Sequence, residues 1–225
     1  GSNPNSPSAQ ALARQIRAGE VGGVIFVKEN VGDLDDLLGV TRLFRSQSPR
    51  KVILAIDHEG GAVQRLVEKH GCMRLPSARE VAARLSPEEA RQLYADASAS
   101  VARFGFNLNL APVVDLENPD NPAIGRFGRC FSHDPLKVAA YARAFVEGFA
   151  AGGILCALKH FPGQGAALTD SHKVLPDLSA EWSASDLYPF RHLIGAGGIP
   201  AVMSGFSLSR SLSADGLPAV LSPDI

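Results

Sequence analysis

Short apolar runs alternate along this chain with segments whose apolar residues recur every three or four positions. Val21-Gly22-Gly23-Val24-Ile25-Phe26-Val27, Val52-Ile53-Leu54-Ala55-Ile56 and Ile154-Leu155-Cys156-Ala157-Leu158 predict strands, as do the runs 107–115 and 201–206. The run 52–56 is apolar throughout, the pattern of a strand covered on both faces. Helices are announced by their starts. Ser6-Pro7, Asp33, Ser86-Pro87-Glu88-Glu89, Asp134-Pro135 and Ser185 each place a capping side chain ahead of an amphipathic stretch. Leu12 and Ile16 mark the apolar stripe of the first helix and Leu34, Leu37 and Leu38 that of the second. Leu93, Ala97, Val101 and Phe104 mark the third, and Val138, Ala142, Phe145 and Phe149 the fourth.

The junctions repeat as well. Ala151-Gly152-Gly153-Ile154 and Ala196-Gly197-Gly198-Ile199 both read helix, glycine stop, strand, with Val21-Gly22-Gly23-Val24 a looser copy. Alternating strands and helices of this kind predict a parallel sheet with right-handed crossovers. No G-x-G-x-x-G follows the first strand, which favours a barrel over a dinucleotide fold. The expected fold is therefore α/β, of the (β/α)8 TIM-barrel type, with about five βα units visible and the barrel incomplete. The unpaired edges of such a sheet offer a surface for self-association.

Composition narrows the function classes. The chain has 225 residues, a formal net charge of −1 and 45% hydrophobic residues, which describes an ordinary globular protein. It has no basic cluster of the kind that binds nucleic acid and no apolar run long enough for a bilayer, so neither partner is expected. Three widely spaced cysteines without a C-x-x-C fit a reducing compartment, and cytoplasmic is the default location. Gly1-Ser2 reads as a cloning remnant, so a removed signal segment remains compatible with this sequence.

Chemistry collects at the carboxyl ends of the predicted strands, in Asp57-His58-Glu59, Asp115 and Lys159-His160. That edge is where barrels and open α/β sheets bind ligands. The densest stretch is Lys159-His160-Phe161-Pro162-Gly163-Gln164-Gly165, followed by Asp170-Ser171-His172. A metal-hydrolase reading would use Asp57, His58 and His160, but H-x-H and H-E-x-x-H are both absent, and no metal or cofactor is expected. Taken alone, Asp170 and His172 fit a surface Asx-turn. Arg129 could pair with Asp134, and Asp57 with Lys51 or Arg65.

Together with Ala55-Ile56-Asp57-His58-Glu59-Gly60-Gly61 and Ile124-Gly125-x-x-x-Arg129-x-Phe131-x-x-Asp134-Pro135, that stretch resembles the N-terminal barrel domain of glycoside hydrolase family 3. The likeness is strongest to its bacterial β-N-acetylglucosaminidases and extends to Leu217-Pro218-Ala219-x-Leu221-Ser222. It implies a carbohydrate substrate, with Asp57, Arg129, Lys159 and His160 as ligands of the sugar. His172 would be the general acid/base and Asp170 its partner, in a retaining mechanism. The family's nucleophile, an aspartate on a later strand, would lie beyond Ile225, and Asp224 reads instead as a first-turn acid of a helix. Residues 1–5 are expected to be remnant and disordered leader, and 6–225 a barrel domain cut before the nucleophile strand. Two positions depart from many relatives, which carry histidines where this chain has Gln164 and Phe206. A β-glucosidase-type member of the family and a non-catalytic sugar-binding or structural fragment are the alternatives.

Overall fold

The computed structural model of the protein describes residues 3–170 and 173–225. Five strands form one parallel sheet: β1 (Gly23–Phe26), β2 (Ile53–Ile56), β5 (Leu108–Asn109), β6 (Leu155–Phe161) and β7 (Ala201–Ser204), side by side in that order. Between β2 and β5 the chain makes a small antiparallel hairpin, β3 (His58–Gly60) with β4 (Val63–Gln64). The helices are α1 (Pro7–Ala18), α2 (Leu34–Gln47), α3 (Ala78–Arg84), α4 (Pro87–Arg103), α5 (Pro135–Ala151) and α6 (Tyr188–Gly195). This is the incomplete barrel that the alternating pattern predicts. Because all five strands are parallel, their carboxyl ends share one edge of the sheet.

The predicted capping residues act as read. The Ser6, Asp33, Ser86 and Asp134 side chains each accept from a first-turn backbone N–H, and Ser86 and Glu89 complete a capping box. α3 was not foreseen, although its signal, Ser77 followed by Glu80, is the same capping box. The last helix begins later than Ser185, because residues 184–187 form a 3-10 turn ahead of α6.

β5 is much shorter than the run 107–115. Asparagine side chains take over the ladder there. Asn107 accepts from Leu54 N at 2.8 Å and donates to Val52 O at 2.9 Å. Asn109 accepts from His58 N and donates to His58 O, each at 3.0 Å. Pro112, which has no N–H to donate, follows a cis peptide; beyond Asn109 single backbone bonds continue (Leu110 N to Ile56 O, Ala157 N to Ala111 O), with an isolated bridge between Val113 and Lys159.

The two faces of the sheet differ. Phe26, Leu54, Ile56, Cys156 and Leu158 are buried in the main core with the helices, where Phe145 and Phe149 stack and Tyr94 packs at a tilt against them at the contact between α4 and α5. His58 is also turned into this layer, 6.4 Å from the Phe149 ring, with neither ring nitrogen hydrogen-bonded. On the other face Ala55, Leu110 and Ala157 form a small separate cluster, while Ile25, Ile53 and Leu155 are about half exposed. Among the described residues no helix is long and apolar enough to cross a membrane.

Candidate active site

At the carboxyl edge of the sheet lies a cleft of about 410 Å³, whose lining includes the polar Asp57, Arg65, Arg129, Lys159 and His160 and the apolar Ile25, Met203 and Phe206. A larger hollow of about 640 Å³ is lined by Arg45, Arg50 and Lys51, and its lining holds no carboxylate or imidazole. General acid/base chemistry therefore has its components only in the first of these two.

The polar lining includes a chain of alternating charge. Arg65 donates to Asp57 Oδ2 at 3.2 Å, and Lys159 Nζ reaches Asp57 Oδ1 at 3.0 Å and Glu59 Oε1 at 2.6 Å. Glu59 in turn receives a bidentate pair from Arg129 Nε and Nη2, both at 2.8 Å. Arg129 also donates from Nη1 to Ala123 O at 2.9 Å, which fixes the plane of its guanidinium. Sheet geometry explains the meeting: β2 runs directly into the β3 hairpin, so Asp57 and Glu59 bracket the end of β6, which carries Lys159. The Lys159 and Glu59 side chains are only 3% and 6% exposed, so each charge depends on the others for solvation. Burial alone would raise the Glu59 carboxyl, but Lys159 and Arg129 outweigh it and lower the group to about 2. Burial likewise works against the charge on Arg129, and Glu59 more than offsets it, raising the guanidinium above its ordinary value.

A second carboxylate serves the imidazole. Asp115, fully buried, places Oδ2 2.7 Å from His160 Nδ1. Its Oδ1 accepts from the backbone N–H of Gln164 at 2.7 Å and, more weakly, from that of His160 at 3.3 Å. The turn after β6 is tied down further. Asn121 donates to Gln164 O and Gly165 O, each at 3.0 Å, and Trp182 Nε1 donates to Pro162 O at 3.1 Å. Gly163 takes φ +116°, and a Cβ on Gly165 would sit 2.0 Å from Leu116 O, so only glycine fits either position.

The cleft brings together Asp57, Arg129, Lys159 and His160. Asp170 stands on the following loop and is not among the residues that line the cleft; its carbonyl accepts from Lys173 N and Val174 N. His172 lies outside the described residues. Arg129 pairs with Glu59 and not with Asp134, whose carboxylate caps α5. His58 faces the core, so it does not join Asp57 and His160 as a metal-hydrolase site would require. Two participants went unassigned in the sequence, Glu59 and Asp115, whereas Arg65 makes the pair with Asp57 that the sequence offered beside Lys51. Glu59 and Asp115 carried a usable signal, each being a carboxylate at the end of an apolar strand.

Comparison with known proteins places this cleft in context. The chain matches the glycosyl hydrolase family 3 N terminal domain over residues 4–225. It is 36% identical to a beta-hexosaminidase of Tolumonas auensis, over 84% of this chain and 56% of that protein. A beta-hexosaminidase of Xylella fastidiosa is 38% identical, over 82% of this chain and 56% of its own. A solved family 3 β-N-acetylglucosaminidase from Paenibacillus superposes on all of this chain and 42% of its own, with a TM-score of 0.87 and 29% identity. The chain thus spans about half the length of the curated relatives it matches.

Proposed function

The chain belongs to glycosyl hydrolase family 3 through its N-terminal domain, and on that premise we propose that it carries the sugar-binding part of a β-N-acetylglucosaminidase active site. The reaction is hydrolysis of terminal β-linked N-acetylglucosamine from glycosides or cell-wall fragments. One observation carries this reading: Asp57, Arg129, Lys159 and His160 converge on one cleft at the carboxyl edge of the sheet. Sugar hydroxyls both donate and accept, and charged partners held in a fixed array bind them most strongly and set their orientation. The ion chain supplies that array with little freedom left to lose on binding. The names of the matched relatives support the same substrate class.

In this reading His172 protonates the leaving oxygen and later activates the water, with Asp170 holding the imidazole's orientation. The nucleophile is a carboxylate supplied from outside this chain. Support comes from the carboxylates already present: Asp57 and Glu59 are held by Lys159, Asp115 is fully buried against His160, and Asp224 accepts from Ser213 at 3.0 Å. Asp57, Glu59 and Asp115 thus have both carboxylate oxygens engaged, and Asp224 is not among the residues that line the cleft.

The test compares this chain, and the chain extended by the segment that follows it in its relatives, on p-nitrophenyl N-acetyl-β-glucosaminide and p-nitrophenyl β-glucoside. The extended protein is expected to cleave the first far faster, and this chain to cleave neither. If the extended protein cleaves neither, the enzymatic reading fails. Full activity in the short chain would refute the external nucleophile. In the extended protein, His172→Ala should slow aryl glycosides less than natural ones, since good leaving groups need little protonation. Equal losses on the two would remove His172 from the acid role.

A further inference from the structure

We propose that Asp115 is a positioning residue that decides which nitrogen of His160 carries the proton, and so turns the imidazole's Nε2 into an acceptor for a sugar hydroxyl. The inference rests on the reading of the cleft as a sugar site and deepens it. A carboxylate oxygen 2.7 Å from Nδ1 accepts that nitrogen's hydrogen, which makes the neutral ring the Nδ1–H tautomer. Nε2 is then the ring's lone-pair nitrogen, on a residue that lines the cleft.

The composition of the polar wall gives this tautomer its use. Arg65, Arg129 and Lys159 offer only donors, and the nearer carboxylates are largely committed: Asp57 accepts from Arg65 and Lys159, Glu59 from Arg129 and Lys159. Cations can satisfy hydroxyl oxygens but not hydroxyl hydrogens. An imidazole acceptor beside Lys159 lets one wall engage a hydroxyl from both sides. With the opposite tautomer, every group offered by Arg129, Lys159 and His160 would be a donor, and a bound hydroxyl's hydrogen would lose this partner.

Asp115 also has a structural duty, since Oδ1 accepts from the N–H groups of Gln164 and His160. The two roles use different oxygens, which makes them separable. In Asp115→Asn the amide oxygen can keep the two backbone bonds, while the amide nitrogen takes the place of Oδ2. That nitrogen donates to Nδ1 and forces the Nε2–H tautomer. A residue that only held the turn would leave the ring's tautomer unmoved.

The experiment is long-range ¹H–¹⁵N NMR of the histidine rings in the wild-type chain and in D115N, at a pH where His160 is neutral, with N-acetylglucosamine titrated into each. Expected are a protonated Nδ1 and bare Nε2 on His160 in the wild type, the reverse in D115N, an otherwise native amide spectrum, and sugar binding at least about tenfold weaker in the variant. A wild-type ring protonated on Nε2 overturns the proposal, and it does so even if D115N fails to fold. An unchanged tautomer in a folded D115N overturns it, as does unchanged sugar affinity after the tautomer has reversed. If the wild type binds no N-acetylglucosamine, the sugar-site reading fails instead, while the tautomers still decide what Asp115 does to His160.

Discussion

Lys159 and Glu59 meet at 2.6 Å with almost no solvent around either, and through them Asp57 and Arg129 become parts of one charged unit. Removing a partner from a buried ion pair leaves the other charge uncompensated, which costs about 3–5 kcal/mol. Glu59→Gln should therefore lower the unfolding free energy by about 3 kcal/mol or more and weaken N-acetylglucosamine binding, because Lys159 and Arg129 lose their orientation. Urea denaturation with a sugar titration measures both. Glu88→Gln, which breaks an exposed pair with Arg91, is the control and should change little. Equal effects from the two substitutions would show that Glu59 is not the hub of the site.

Acid should destabilise the protein in two separate windows. Burial lowers the His58 imidazole from 6.5 to about 4, so the unfolded chain binds that proton first; the stability it protects is whole above pH 6.5 and is lost as pH falls towards 4. The shift corresponds to about 3 kcal/mol. Glu59 falls from 4.5 to about 2, so its contribution is present above pH 4.5 and lost as pH falls towards 2. Denaturation midpoints measured from pH 7 to pH 3 should show both slopes. In His58→Met the upper slope should flatten and the lower one remain; a slope between 6.5 and 4 that survives the substitution would assign it to another group.

Gly165→Ala should destabilise by about 1–3 kcal/mol and disturb the turn that holds Gln164 to Asp115, because its Cβ would press on Leu116 O at 2.0 Å. Gly195→Ala has open space around it and ordinary helical geometry in α6, so it should be neutral or slightly stabilising. Thermal melts of the two variants compare these directly, and equal melting points would contradict the close packing of the turn.

Phe206, 58% exposed, lines the same cleft as the ion chain and offers it a flat aromatic surface. Phe206→Ala in the extended protein should raise KM for an aryl glycoside about 2- to 10-fold, in line with the worth of one aromatic contact, with kcat little changed. An unchanged KM would take Phe206 out of contact with substrate.

Much of this was legible in the order of residues. Ser6-Pro7, Ser86-Pro87-Glu88-Glu89 and Asp134-Pro135 are local devices whose side chains bond their own first turn, so the sequence alone determines where α1, α4 and α5 begin. The apolar runs with polar ends, read as parallel strands, already place Asp57 and Lys159 on one edge. Tertiary structure alone decided the pairings: Lys159 with Asp57 across 102 residues, Arg129 with Glu59 across 70, and His160 with Asp115 across 45. It also decided that β5 is short, since Asn107 and Asn109 bond a neighbouring strand that their own segment does not contain. The physical reason is range. Periodicity and capping record what a residue does with neighbours a turn away, whereas which charge solvates which depends on the register of strands that meet only once the sheet has formed.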